Sequence, residues 1–183
     1  IQCNKSILTM NKHPDSNIFL IGMMGSGKTS VGKSLSKMLN VQLIDIDKDI
    51  EKVTDTPIRE VFTSYGEKKF REMEQAYFIE RNKISKQAIF ATSGGIILNE
   101  KCRCVLKNEK LTFLLEASTS ILHRRLQKSE ARPLLVNTKD SYKIICEIWE
   151  NRKKLYYESS KFRISTENIS INKVAQSINL LIN

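Results

Sequence analysis

Short apolar runs alternate along this chain with longer stretches in which hydrophobic residues recur every three or four positions. NIFLI (17–21) has no polar alternation, which predicts a strand covered on both faces. A glycine-rich loop follows, and helical periodicity then runs from Lys28 to Leu39. VQLID (41–45) reads as a second strand. Thr56 before Pro57 predicts a helix start, with the hydroxyl as N-cap and the proline where its missing N–H costs nothing. Gly66 is expected to break that helix ahead of a longer one reaching about Ile84. AIFAT (88–92) and LTFLLE (111–116) are the next strands, and the polar stretch from Gln127 to Asp140 precedes a helix containing Trp149. FRIST (162–166) is a fifth strand, and Val174, Ile178 and Leu181 mark the buried face of a closing helix. This order predicts an α/β fold, a parallel sheet with helices on both sides.

Composition narrows the picture. A chain of 183 residues is most economically one domain with its own core. No apolar run approaches the roughly 18 residues that cross a bilayer, so no membrane association is expected. Cys3, Cys102, Cys104 and Cys146 form no C-x-x-C pair and no zinc-ligand spacing, which points to reduced thiols and a cytoplasmic location. The formal charge of +10 invites a nucleic-acid reading, but 21 of the 30 basic residues are lysines scattered along the chain, the pattern of a solvated surface. Aromatic residues, at 7%, are too sparse to supply a stacking platform for bases. Residues 1–16 lack the long apolar centre of a secretory signal and are expected to be a poorly ordered extension to a single domain at 17–183.

The loop between the first strand and helix reads GMMGSGKTS and fits G-x-x-x-x-G-K-[ST] from Gly22 through Gly27, Lys28 and Thr29. The glycines let the backbone N–H groups of Met24, Gly25, Ser26 and Gly27 turn towards a polyphosphate, and the helix presents its positive end to the same anion. Lys28 reaches the outer phosphates in such a loop, and the Thr29 hydroxyl ligates Mg²⁺.

That motif does not name the acceptor; residues at the ends of the following strands must do so. No guanine-specifying N-K-x-D appears. In DID, Asp45 and Asp47 point the same way if the segment is extended, either into a cleft above the loop or simply into solvent. In GEKKFREME (66–74), Arg71, Glu74 and the following Gln75 share one helical face, and Phe70, Met73 and Tyr77 share its apolar neighbour. Glu74 there either fixes Arg71 to address a ligand carboxylate or forms an ordinary surface pair with it. SGG (93–95) ends a strand with two glycines, open to close approach by a ligand or merely a turn. ARPLL (131–135) carries Arg132 in a polar stretch suited to a mobile flap, and Arg152 follows in WENRKKLYYE.

Taken together, GMMGSGKT, DID, GEKKFREME, SGG, RPLL and NRKKLY stand in an order and spacing that resemble the shikimate kinase family, from about Asn17 to the end of the chain. The resemblance implies a three-layer α/β/α P-loop kinase similar to nucleoside monophosphate kinases, with a five-stranded parallel sheet, a substrate-binding helical region and a lid at about 127–140. It implies transfer of the γ-phosphoryl group of ATP to the 3-hydroxyl of shikimate, in aromatic amino-acid synthesis. Lys28 and Thr29 would then bind phosphate and Mg²⁺ with Asp45 near the metal, and Asp47 would orient or deprotonate the attacking hydroxyl. Arg71 and Arg152 would hold the shikimate carboxylate with backbone help from Gly94 and Gly95. Arg132 would come in from the lid and Arg125 would lie against adenine. A monomer is expected, with ATP and shikimate as its only partners.

Two departures stand out. Ser93 replaces the first glycine of the family's usual triplet, and no proline or arginine after FRIST matches the residues that usually frame adenine. The rival readings are a gluconate kinase of the same architecture, a pseudokinase, and a basic nucleic-acid-binding module. The retained Lys28, Asp47, Arg71, Arg132 and Arg152 argue against the pseudokinase.

Overall fold

A computed structural model describes residues 16–128 and 140–182. Five parallel strands form one sheet in the order β2-β3-β1-β4-β5: β1 (Ile18–Ile21), β2 (Leu43–Asp45), β3 (Ile89–Ala91), β4 (Leu111–Glu116) and β5 (Phe162–Ser165). Seven helices accompany them among the described residues: α1 (Lys28–Leu39), α2 (Ile46–Thr54), α3 (Ile58–Ile84), α4 (Glu100–Asn108), α5 (Thr119–Gln127), α6 (Ser141–Ser159) and α7 (Ile171–Ile182).

Alternation along β1 divides the interior in two. Phe19 and Ile21 face one way, into a core shared with Phe78 of α3, Leu106 of α4 and Ile145 of α6. Ile18 and Leu20 face the other, towards Val31 and Leu35 of α1 and Val174 and Ile178 of α7. Because both faces are buried, the strand reads as an unbroken apolar run. Phe19 stacks on Phe90 with ring centroids 5.0 Å apart and meets the Phe78 ring edge-on at 5.9 Å, so three aromatic rings knit β1, β3 and α3 together.

The topology places the functional groups. The chain leaves β1 for β2 and leaves the neighbouring β3 for β4, which lie on opposite sides of the β1–β3 pair. The crevice outside the carboxyl ends of such a pair is where open α/β sheets hold ligands. The glycine loop follows β1, and SGG follows β3.

Several local expectations need correction. Thr56 does not cap α3. Its Oγ1 donates to the Thr54 carbonyl at 2.9 Å, while the first N–H of α3, at Ile58, donates to Glu51 Oε1 at 3.0 Å. A longer carboxylate from α2 thus does the work expected of the hydroxyl. Gly66 does interrupt α3, with φ 77° and ψ 165°. Leu181 is 49% exposed, and the buried stripe of α7 is Val174, Ala175 and Ile178 with Ile182 packed beside it. The small Ala175 moves the centre of the apolar face round towards residue 182. The nine-residue helices α2, α4 and α5 went unassigned in the sequence, being too short to declare a period.

Candidate active site

The glycine loop bends through residues that only glycine serves well. Gly22 has φ 142°, and a Cβ there would lie 2.5 Å from the Leu115 carbonyl oxygen, so the loop can press against β4 only where the side chain is missing. Gly27 opens α1 with φ 97°. The N-terminus of a twelve-residue helix therefore faces the loop. Lys28 is buried, and its Nζ donates to the carbonyls of Gly22 and Met23 at 2.8 and 2.9 Å, which fixes the ammonium over the loop.

A cleft of about 440 Å³ opens above these groups. Met24, Gly25, Ser26, Gly27, Lys28 and Thr29 form its floor, and Asp45, Asp47 and Arg125 reach its walls. Thr29 Oγ1 donates to Asp45 Oδ2 at 2.8 Å, and Asp45 Oδ1 accepts from the Lys48 N–H at 3.3 Å. Asp45 is therefore the N-cap of α2 and Asp47 stands in its first turn. Both acids face the cleft, but through a strand-to-helix junction and not through strand alternation as expected. Arg125, on α5, donates to the Gly25 carbonyl at 3.2 Å and to Thr166 Oγ1 and O at 2.9 and 2.6 Å. No residue after β5 was named for the site in the sequence, yet Thr166, Ile169 and Ile171 line this end of the cleft. Their irregular spacing in TENISI gives no periodic signal.

A second cluster adjoins the first. Arg71 Nη1 donates to both oxygens of Glu74, at 3.0 and 2.9 Å, and Arg71 Nη2 donates to Glu67 Oε1 at 3.1 Å. Glu74 is fully buried, so the surface-pair alternative is excluded. Burial raises the Glu74 carboxyl above the usual carboxylate range, an effect that Arg71 and the Ser93 hydroxyl only partly offset. Burial also works against the Arg71 charge, but Glu74 and Glu67 outweigh it and Arg71 is held more firmly protonated. The guanidinium lies close over the Phe70 ring, 5.1 Å from its centroid, and over Gly95, where a Cβ would fall 2.2 Å from Nη2.

From the far side, Arg152 Nη1 and the Tyr156 hydroxyl donate to the Gly94 carbonyl at 3.1 and 2.5 Å. Burial pushes the Tyr156 hydroxyl upward, which keeps it a donor. Tyr156 closes the NRKKLY motif but was given no role in the sequence reading, although its place four residues after Arg152 on one helical face was a usable signal. The two clusters meet at two points. A Cβ on Gly94 would touch the Met24 nitrogen at 3.2 Å, and Asp47, which lines the cleft, bears on the Glu74 charge across the boundary. Lys28, Thr29, Asp45, Asp47 and Arg125 thus share one cleft, while Arg71, Gly94, Gly95 and Arg152 gather beside it. Arg132, and most of the expected lid, lie outside the described residues.

The family model described as shikimate kinase matches residues 24–182. The chain belongs to the shikimate kinase family. Members of that family similar to it include a shikimate kinase from Thermodesulfovibrio yellowstonii, 38% identical over 88% of this chain and 92% of that protein. Another, from Buchnera aphidicola, is 37% identical over 88% and 93% of the respective chains. Among solved structures, shikimate kinase from Acinetobacter baumannii in complex with shikimate superposes with a TM-score of 0.86 at 31% identity, covering 91% of this chain and 92% of that one. A gluconokinase from Sinorhizobium meliloti, 18% identical with a TM-score of 0.57, shares the fold alone. The chain is accordingly a kinase of P-loop architecture.

Proposed function

We propose that this chain transfers the γ-phosphoryl group of ATP to the 3-hydroxyl of shikimate, giving ADP and shikimate 3-phosphate. The observation that carries the reading is the junction of the two clusters, where a phosphate-type loop and a carboxylate-type guanidinium clamp share a wall at Gly94 and Met24. The reaction demands positioning and charge neutralisation more than covalent chemistry from the protein. Loop N–H groups and Lys28 hold the phosphates, and Arg125 lies against the base. Arg71 and Arg152 grip the acid's carboxylate, and the backbone of Gly94 and Gly95 completes its seat. Asp47, between the clusters, accepts or steers the proton of the attacking hydroxyl. Arg132, by the RPLL match, adds positive charge at the transferring group.

The residues present fit Mg²⁺. The Thr29 hydroxyl and Asp45 carboxylate, bonded to each other at 2.8 Å, are hard oxygen donors at the mouth of the loop. Among the described residues no group of three or more His, Cys, Asp or Glu side chains forms an all-protein metal cage, and Mg²⁺ characteristically takes one or two protein oxygens together with phosphates. When bound, the ion neutralises charge on the β- and γ-phosphate oxygens. Action as a monomer is part of the same reading. No helix among the described residues is long and apolar enough to cross a membrane, and the reading places the enzyme in the cytoplasm.

A coupled ADP-release assay with shikimate, gluconate and nucleoside monophosphates tests the assignment. Turnover is expected with shikimate alone; turnover with another acceptor and none with shikimate rejects it.

A further inference from the structure

We propose that Ser93 is a positioning residue, whose hydroxyl ties the Glu74 carboxylate to the Gly95 amide and so sets the angle at which Arg71 meets its ligand. The Ser93 hydroxyl donates to Glu74 Oε1 and accepts the Gly95 N–H at 3.3 Å. Its backbone is not among those with positive φ, so serine sits there without strain, and the residue is only 3% exposed. The oxygen is thus held on both sides in a dry place.

The geometry gives this link a purpose. Glu74 is a buried carboxylate that Arg71 approaches through Nη1 alone. Nε and Nη2 are held by Glu67, but a single nitrogen shared by both Glu74 oxygens still lets the carboxylate plane pivot about Nη1. A third hydrogen bond, from a fixed hydroxyl, removes the freedom. The same hydroxyl anchors Gly95, whose Cα is the surface over which the guanidinium lies. One oxygen therefore fixes both the partner that holds Arg71 and the floor beneath it. Glycine at position 93 would leave Glu74 to Arg71 and the Gly95 N–H without that acceptor.

The inference rests on the proposed function, in which Arg71 grips the acceptor's carboxylate. Its test uses the full chain with Ser93→Ala and Ser93→Gly, which both remove the hydroxyl while differing in bulk. Each is expected to raise KM for shikimate about tenfold, the scale of a lost hydrogen bond to a buried charge, and to leave KM for ATP within about twofold. With an analogue bearing a hydroxymethyl group in place of the carboxylate, that penalty should vanish. The NMR signals of the Arg71 guanidinium should show faster rotation in both variants.

Unchanged shikimate KM in either variant, an equal rise for ATP, or the same penalty with the analogue overturns the role. If the parent chain does not phosphorylate shikimate, the proposed function falls. The Arg71 signals then decide Ser93 on their own: altered rotation upholds the coupling, and unaltered rotation ends it.

Discussion

Substituting Gly95 by alanine isolates the guanidinium clamp from everything else in the site. An added Cβ would lie 2.2–2.3 Å from Nη2, Cζ and Nη1 of Arg71, whereas ordinary contact begins at 3.4 Å, so the guanidinium must withdraw by about 1 Å. Withdrawal along its own side chain is resisted, because Nη1 is bonded to both oxygens of Glu74 and Nη2 to Glu67. Moving Nη1 by that distance stretches the 2.9 and 3.0 Å bonds beyond hydrogen-bonding range and leaves a fully buried carboxylate with only the Ser93 hydroxyl. Complete loss of a buried partner costs about 3–5 kcal/mol, and partial adjustment brings the expected loss of fold stability to about 2 kcal/mol. For a domain of this size that lowers the melting temperature by about 4–8 °C. Misplacing a binding group by about 1 Å costs about 10²-fold in kcat/KM. The loss should fall on KM for shikimate, with KM for ATP unchanged, in the coupled ADP-release assay beside a thermal melt. A variant with shikimate KM within about twofold of the parent would refute the placement of Arg71 against Gly95.

Other outcomes follow from the same geometry. Asp47→Asn should cut kcat by about 10²–10⁴-fold while leaving ATP affinity, read by equilibrium titration, nearly intact; equal losses in both would remove Asp47 from the acceptor side. Glu74 carries a pKa raised by burial, so its contribution to stability is full below its unfolded value near 4.5 and fades as pH climbs through the higher folded value. Glu74→Gln has no proton to lose there. Denaturant midpoints of parent and variant between about pH 4 and pH 8 should therefore shift in the variant's favour with rising pH and then level off, and a constant offset would contradict the raised carboxyl.

What could be read ahead of the structure followed from periodicity and spacing. β1 is buried on both faces, and its continuous apolar run IFLI announced it. The glycine loop declared itself because phosphate binding by backbone tolerates so few side chains. Arg71 and Glu74 were paired by helical spacing, but their burial was not legible, because it depends on Ser93 and Gly95 arriving from β3. Thr56 misled because a cap is chosen by whichever oxygen lies nearest, and here a carboxylate from the preceding helix reached the N–H first. Ile169 and Ile171 were invisible for a related reason: their part in the cleft comes from α7 folding back beside α1, a long-range event with no local signature.

The junction at Ile46 has a meaning beyond its geometry. Asp45 closes a strand and caps a helix, and Asp47 sits two steps into the first turn, so the screw pitch of the backbone sets the angle between the two acids. An exchange of Ile46 for another oily side chain preserves that angle, whereas one inserted residue swings everything downstream by about 100°. Inheritance can therefore trade the buried letter between the two acids for another oily one, but cannot change the count.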